Sequence, residues 1–329
     1  MSVCVVILVY DHKKPYLKQI VKRVKELGVQ KLIIINNSHQ KLFLDNTFQD
    51  GIFVKLIHTT QNLGSAGGYS IGMQYAADLE CDFIWLLDED NLPNQNSLSI
   101  LLTEWELQIS SGIALNELML LPYRPQLFGT LNPRIENNRI ILTPAKNSFL
   151  GNHISQLPNI ILKRTVGQGN DQLKDLLQKE KVEINSGYYG GLFFHKSFVK
   201  VDSLPKNDFF IYWDDIEFTF RFIKKGGKIL LLPKCVISDL DNVYNDKIRS
   251  KFLSHPIYDL NPSFKAYHFI RNVLRVEEMV GKSSGFTFIC NKYTFLFIMY
   301  IIAVLRGKKN RFRLIGKAIQ SLRKSNKVE

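Results

Sequence analysis

The stretch Asn62–Asp90, NLGSAGGYSIGMQYAADLECDFIWLLDED, decides how the rest of the chain is read. A glycine-rich turn leads into a helical segment placed over Gly72–Leu79. An apolar strand, Asp82–Leu87, then runs into three consecutive acids, Asp88, Glu89 and Asp90. Carboxylates resist desolvation and repel one another, so an acid triplet at the mouth of a buried strand is costly unless something relieves it. A hard divalent cation such as Mg²⁺ or Mn²⁺ would, and such a cation bridges readily to diphosphate oxygens. Alternate residues of an extended chain share a face, so Asp88 and Asp90 can address one ion. A solvated acidic turn is the plain alternative, and the fully apolar strand before the acids weighs against it.

Working outward, Val3–Val9 is a continuous apolar run, the mark of a strand buried on both faces. Pro15–Leu27 carries Leu17, Ile20, Val21, Val24 and Leu27 at helical spacing. Lys31–Ile35 and Ile52–Ile57 read as further strands. Alternating units of this size predict an α/β fold with a mostly parallel, doubly wound sheet and flanking helices. Ligands of such sheets sit at the carboxyl ends of the strands. Tyr10-Asp11, Asn36-Asn37 and Asp88–Asp90 fall at those ends. Asn96–Ile109 reads as helix, and signals weaken from Gly112 to Lys181 apart from a hairpin over Arg134–Leu142 and a short charged helix over Gln172–Lys181. Strands follow at Val182–Asn185, Gly190–Phe194 and Lys228–Leu232, with a helix over Asp214–Lys225.

Phe209–Glu217, FFIYWDDIE, places aromatics beside adjacent acids at a helix start. Rings stack on the apolar faces of sugars, carboxylates accept hydroxyl protons, and one carboxylate can act as general base. Helix capping explains one of these acids well and two poorly. Tyr188-Tyr189-Gly190-Gly191 places paired tyrosines on a pliant loop suited to an acceptor, with core packing almost as good a reading. The glycines of the first stretch match neither the Walker loop nor the dinucleotide fingerprint. The seven histidines form no zinc pair, and there is no nucleophile elbow.

Composition narrows the class. The 329 residues include 45% hydrophobic and 22% charged side chains, ordinary for a folded protein, but the net charge is +13. Nine Lys or Arg against one acid lie between Arg306 and Glu329, so the basic excess sits mostly in the tail and argues against a nucleic-acid groove across the main domain. The four cysteines are widely spaced and read as reduced thiols of a cytoplasmic protein. The N-terminal run reads as a first strand and not a signal peptide.

Taken in order, residues 1–240 resemble the family 2 inverting glycosyltransferases of the GT-A fold, with a closer likeness to bacterial galactofuranosyltransferases and rhamnosyltransferases. NLGSAGGYSIGMQYA resembles the family's Asn-x-Gly-x-x-Gly-Gly segment, Asp88-Glu89-Asp90 its Asp-x-Asp motif, and YWDDIEFTFR its Trp-Asp-Asp-x-Glu block. The resemblance implies donor contacts from Tyr10, Asn36, Asn62, Gly67, Gly68 and Asp88, and metal ligation by Asp90 with Asp88. It makes Asp215 the catalytic base, with Asp214 beside it, and Tyr188, Tyr189 and Trp213 the acceptor wall. Two departures stand out. Asn36-Asn37-Ser38 replaces the usual Asp-Asn-x-Ser, and Asp239 lies where the family commonly supplies a metal-binding His; Asp239 can replace it as a hard-oxygen ligand.

The implied reaction is metal-dependent (Mg²⁺ or Mn²⁺), inverting transfer of galactofuranose or rhamnose. The donor is a nucleoside-diphosphate sugar with UDP or dTDP, and the acceptor a glycan or lipid-linked glycan in bacterial surface polysaccharide synthesis. The competing readings are a carbohydrate-binding or scaffold protein without turnover and, less favoured, a sugar-1-phosphate nucleotidyltransferase. Residues 1–250 are expected to form the catalytic domain and 251–329 a helical, basic appendage. Within it, Ala266–Asn272 resembles a Tyr…Arg-Asn segment of related transferases. The apolar stretch Phe286–Leu305 precedes the basic Arg306–Lys327, a pairing expected to hold the protein on the cytoplasmic face of the inner membrane.

Overall fold

The structure is a computed structural model describing residues 1–10, 14–48, 50–131, 133–156, 171–200, 203–241 and 255–325. Asp11 and the expected domain boundary at residue 250 lie outside the described residues. The chain divides into two compact units. The first comprises Met1–Leu142, Gln172–Phe210 and Asp214–Asp246; the second comprises Thr143–Asp171, Ile211–Trp213 and Lys247–Glu329.

In the first unit the strands are β1 (Val3–Val9), β2 (Lys31–Asn36), β3 (Phe53–His58), β4 (Phe83–Asp88), β5 (Asn91–Pro93), β6 (Leu118–Tyr123), β7 (Arg134–Glu136), β8 (Arg139–Ile141), β9 (Val182–Ile184), β10 (Phe193–His195) and β11 (Lys228–Asp239). Its helices are α1 (Lys14–Glu26), α2 (Gly64–Ala77), α3 (Ser97–Ser110), α4 (Pro125–Thr130), α5 (Asp171–Leu177, whose first residue falls in the second unit) and α6 (Asp214–Lys224). The sheet order is β3-β2-β1-β4-β10-β6-β11-β9-β8-β7, with β5 paired to β11. The chain builds β1, β2 and β3 outward in one direction and then returns to place β4 on the other side of β1, all parallel. Such a reversal opens a crevice at the strand carboxyl ends. Register carries the polar ends into that crevice, with Leu8 opposite Asp88 and Val9 opposite Asn36. β10 enters antiparallel between β4 and β6.

Alternation along the strands splits the core between the two sheet faces. Val3, Val5, Ile7 and Val9 pack with Leu17, Ile20 and Val24 of α1 and Leu101 and Trp105 of α3. Cys4 and Val6 pack on the other side with Tyr69, Met73 and Ala76 of α2 and Phe218 and Phe222 of α6. Cys4, Cys81 and Cys235 are free thiols buried in this core.

Three expectations are corrected here. The helix expected from Gly72 begins at Gly64. Gly68 and Gly72, one turn apart, let α2 lie against β1, because a Cβ on either would collide with Leu8 or Val6. The weak stretch after Gly112 contains a central strand, β6, whose four apolar residues sit between β10 and β11; Pro122 and Pro125 mask it in the sequence. β11 runs on to Asp239 instead of ending at Leu232 because a register shift between Leu232 and Val236 carries the strand past Pro233.

The second unit has its own core. Helices α7 (Pro256–Asp259), α8 (Ser263–Val280), α9 (Gly285–Leu305) and α10 (Lys309–Ser325) bury Tyr258, Ile270, Val273, Phe295, Met299, Ile315 and Ala318 together with Phe149 and Leu150. Asn291 of α9 donates to the carbonyls of Asn147 and Asn152 at 3.0 and 2.9 Å and so ties the 143–156 segment to the helices.

Gly72→Ala should destabilise the protein by about 1–3 kcal/mol through overpacking against Val6. In urea titrations the double variant Gly72→Ala/Val6→Ala should lose less stability than the sum of the two single losses, and strict additivity would contradict the close-approach argument.

Candidate functional site

The site grows from the ends of β1, β2, β4, β6 and β11. Asn37, fully buried, accepts from the Leu63 amide at 2.8 Å and donates to the Gly64 carbonyl at 2.8 Å. Asn62 accepts from the Gly64 amide at 2.8 Å. Gly64 has φ +69, and a Cβ there would strike the Phe210 carbonyl; a left-handed conformation and a close backbone approach together require glycine. Thus Asn37 and Asn62 shape the turn that launches α2. Asn36 is also buried, with its amide beside His58 Nδ1 at 2.9 Å and the Gln40 carbonyl at 2.8 Å. Gly67 and Gly68 face Leu63 and Leu8, so packing accounts for both. Tyr10 is 47% exposed at the end of β1.

Beside this turn stands a buried charge cluster. Arg124, directly after β6, donates from Nε and Nη2 to Asp239 Oδ1 at 2.9 and 2.5 Å and from Nη1 to Asp88 Oδ2 at 3.1 Å. Its guanidinium lies over the Tyr188 ring at 5.3 Å. Burial works against this charge, but Asp88 and Asp239 outweigh it and hold Arg124 above its ordinary pKa. The other Asp88 oxygen lies 2.7 Å from the Tyr69 hydroxyl. Asn91 Nδ2 bridges Asp90 Oδ1 at 3.1 Å and Asp239 Oδ1 at 3.0 Å. Burial, and then Asp88, push Asp90 up to about 7, against the pull of Arg124. Burial also raises Asp239, again opposed by Arg124. Asp239 Oδ2 is buried with no hydrogen-bond partner among the described residues.

The second acid pair starts α6. Asp214 Oδ2 accepts from Ser65 Oγ, in the first turn of α2, at 2.6 Å. Asp215 Oδ1 accepts from the Ile216 amide at 2.8 Å. Burial, with Asp215 adding to it, raises Asp214 to about 8. Burial raises Asp215 to about 6, with Asp88 adding and Arg124 subtracting, so the two acid clusters sense each other. A physical bridge joins them: the Tyr69 and Tyr189 rings lie 4.5 Å apart, Tyr69 reaches Asp88, and Tyr189 is pushed above its ordinary pKa by burial and by Asp214. Thr219 of α6 accepts from the Gly187 amide at 2.8 Å and so fixes the tyrosine segment against α6. Both tyrosines are buried, and Tyr188 donates to the Pro122 carbonyl at 3.0 Å.

The structure therefore brings Asn36, Asn62, Asp88, Asp90, Tyr188, Tyr189, Asp214, Asp215 and Asp239 to one end of the first unit's sheet. Trp213 belongs to the second unit, where its ring meets Phe269 at 6.1 Å. Sequence reasoning missed Arg124, Asn91, Tyr69 and Ser65. Arg124 had a usable signal: Leu118–Leu121 is an apolar run with a charge just beyond its end, the same layout that exposes Asp88. The others are ordinary polar residues whose roles arise only from packing.

Among the described residues no three or more His, Cys, Asp or Glu side chains converge to hold a metal ion. Asp90 and the orphaned Asp239 oxygen nevertheless form a pair of hard donors joined by Asn91. A Mg²⁺-like ion that takes one or two carboxylates and completes its shell with phosphate oxygens and water fits that pair. Asp88 has both oxygens engaged, by Tyr69 and Arg124.

Arg124→Met should cost about 3–5 kcal/mol of stability at about pH 8, because it leaves Asp239 buried without its counter-charge. Asp239 is already raised in the fold, so the stability linked to it is full below the unfolded pKa and is lost as pH rises through the folded one. Removing the guanidinium raises the folded value further, so the cost should shrink towards about pH 5; an equal cost at both pH values in denaturant titrations would contradict this.

Residues 4–112 match the model of the family described as Glycosyl transferase family 2. The galactofuranosyltransferase GlfT1 of Mycolicibacterium smegmatis (strain ATCC 700084 / mc(2)155) is 33% identical over 73 residues, which are 22% of this chain and 24% of that protein. The chain thus matches about a quarter of the length of that curated relative. Among solved structures, GalNAc-T7 with UDP, GalNAc and Mn²⁺ superposes with a TM-score of 0.50 at 15% identity, covering 83% of this chain and 48% of that one. S. aureus TarS 1-349 in complex with UDP gives 0.44 at 10% identity, covering 84% and 65%. The sheet order, the reversal at β1 and β4 and the family match agree on a domain of the GT-A fold, whose residues 4–112 match the glycosyl transferase family 2 model.

Proposed function

We propose that this protein transfers a sugar from a nucleoside-diphosphate donor to a hydroxyl of a glycan or lipid-linked glycan, with inversion at the anomeric carbon. The observation that carries the reading is the meeting of two acid clusters, Asp88–Asp90 and Asp214–Asp215, at the carboxyl ends of β1 and β4 within a family 2 frame. The names of the similar proteins point the same way: one is a galactofuranosyltransferase, and one was solved with UDP and Mn²⁺. Galactofuranose is the favoured sugar, with rhamnose the second candidate, and UDP or dTDP the carrier.

Asp215 is the general base. Its pKa near 6 leaves it ionised at neutral pH yet basic enough to accept a proton from the attacking hydroxyl. Asp214, raised to about 8, keeps its proton longer and can donate a hydrogen bond to the acceptor. The pair titrates as a unit, and the helix start at α6 favours the charge that remains. Asn36 and Asn62 line the nucleoside side, and Tyr10 stands at the exposed rim. Tyr188 and Tyr189 form the floor towards the acceptor. Asp90 and Asp239 would hold Mg²⁺ or Mn²⁺, which supplies charge neutralisation for the departing diphosphate. Arg124 adds a fixed positive charge to the same end of the site.

The exposed apolar side of α9 and the acid-free, lysine- and arginine-rich α10 favour a peripheral position on the inner face of the cell membrane. By length and composition α9 also meets the requirement for a membrane span. Its packing in the second unit's core through Phe295, Met299 and Ala303 favours lying in the interface.

A panel of UDP- and dTDP-sugars should reveal Mn²⁺- or Mg²⁺-dependent release of nucleoside diphosphate that a chelator abolishes. Absence of release with every donor and acceptor mixture would leave only a binding role. Asp215→Asn should retain donor affinity in calorimetry while transfer falls by about 10²–10⁴-fold. Unchanged turnover in that variant would remove Asp215 from its role.

A further inference from the structure

The second unit contains a cavity of about 210 Å³ walled by the 147–149 segment, α8, α9 and α10. Ser148, Glu277, Lys282, Phe288, Lys292 and Arg323 line it. Ser148 is 2% exposed, and its buried Oγ has no hydrogen-bond partner among the described residues. The segment that carries Ser148 is fixed: Asn147 Oδ1 accepts from the Ser283 and Ser284 amides at 3.0 and 3.2 Å. Three cations come to this one cavity from three places, Lys282 after α8, Lys292 on α9 and Arg323 on α10. Lys282 Nζ also stands over the Phe288 ring at 3.9 Å, which holds its charge at the wall.

Two acids share the wall, fewer than the three cations that face them. Glu277 is buried, accepts from the Gly151 amide at 2.7 Å, and is raised to about 8 by burial, so it is largely neutral at pH 7. Burial raises Glu278 as well, with Lys282 drawing it down.

The surroundings identify the ligand's other half. On α9, Phe286, Ile289, Tyr293, Phe297, Tyr300 and Val304 recur every three or four residues and are exposed, Phe286 by 78% and Phe297 by 65%. The opposite stripe, Asn291, Phe295, Met299 and Ala303, is buried. α10 carries Lys309, Arg311, Arg313, Lys317, Arg323 and Lys324 and no acid. A long apolar face beside a basic face and a cation-lined cavity is complementary to a lipid with a phosphate headgroup and hydrocarbon tails.

We propose that this cavity receives the phosphate headgroup of an anionic membrane lipid, with Ser148, Lys282, Lys292 and Arg323 around the phosphate and the exposed face of α9 among the tails. The proposal rests on the peripheral membrane position argued above and adds a discrete headgroup site to it. Co-sedimentation of the full chain with phosphatidylcholine vesicles, with and without about 30 mol % phosphatidylglycerol, tests both. Wild type should bind the anionic vesicles strongly and the neutral ones weakly. Lys292→Ala/Arg323→Ala should weaken anionic binding about 30-fold, whereas Lys309→Ala/Lys317→Ala, an equal loss of charge on the exposed part of α10, should change it about threefold or less. Ser148→Val, which fills the cavity at constant charge, should also weaken it. Equal losses in the two double variants, with Ser148→Val unchanged, would overturn the headgroup site and leave membrane association standing as diffuse attraction. Equal binding of wild type to neutral and anionic vesicles would overturn both.

Discussion

The burial of Arg124 between Asp88 and Asp239 is the interaction on which the site depends. Three acids at the ends of β4 and β11 cannot be withdrawn from water together without a positive charge among them. The guanidinium supplies it in a fixed fork, held from below by the Tyr188 ring and from the side by two carboxylates. The balance is incomplete. Asp90 remains destabilised and one Asp239 oxygen has no partner among the described residues, so the fold leaves a deficit of positive charge at this end of the sheet.

The acids of α6 are arranged by a different logic. Among the described residues no cation pairs with Asp214 or Asp215; amide and hydroxyl donors and a helix start hold them. Weak compensation keeps their proton affinity high, which suits groups that exchange protons with a sugar hydroxyl. One end of the sheet thus carries a charge-matched half and a proton-hungry half. Tyr69 and Tyr189 stand between the two and couple them through their tilted rings.

Much of this was legible in the sequence, for definite reasons. Unbroken apolar runs such as Val3–Val9 and Phe83–Leu87 can only be strands buried on both faces, and acids at their ends stand out against them. The helix at Asp214 was visible from its acids and its closing glycines. What stayed hidden depends on contacts that one residue's chemistry does not announce. Pro122 and Pro233 read as stops, yet one closes a strand and the other sits in a bulge within one. Gly67 and Gly68 read as donor contacts, and their close approach to Leu63 and Leu8 could not be seen in the sequence. Trp213, adjacent to Asp214 in the chain, belongs with α8. Arg124 was overlooked because the strand that delivers it was overlooked.

The pairing of β5 with β11 places Asn91 opposite Asp239, two residues beyond the pair of Ile237 with Pro93. The segment that bears Asp88 and Asp90 is therefore laced by backbone hydrogen bonds to the strand that bears Asp239, and the Asn91 amide joins Asp90 to Asp239 again through side chains. These acids form a stiff jaw that moves as one piece or not at all. Adjustment to sugars of different shape must then come from segments outside any ladder. Variation in those segments could reshape the surroundings while leaving this acid cluster untouched.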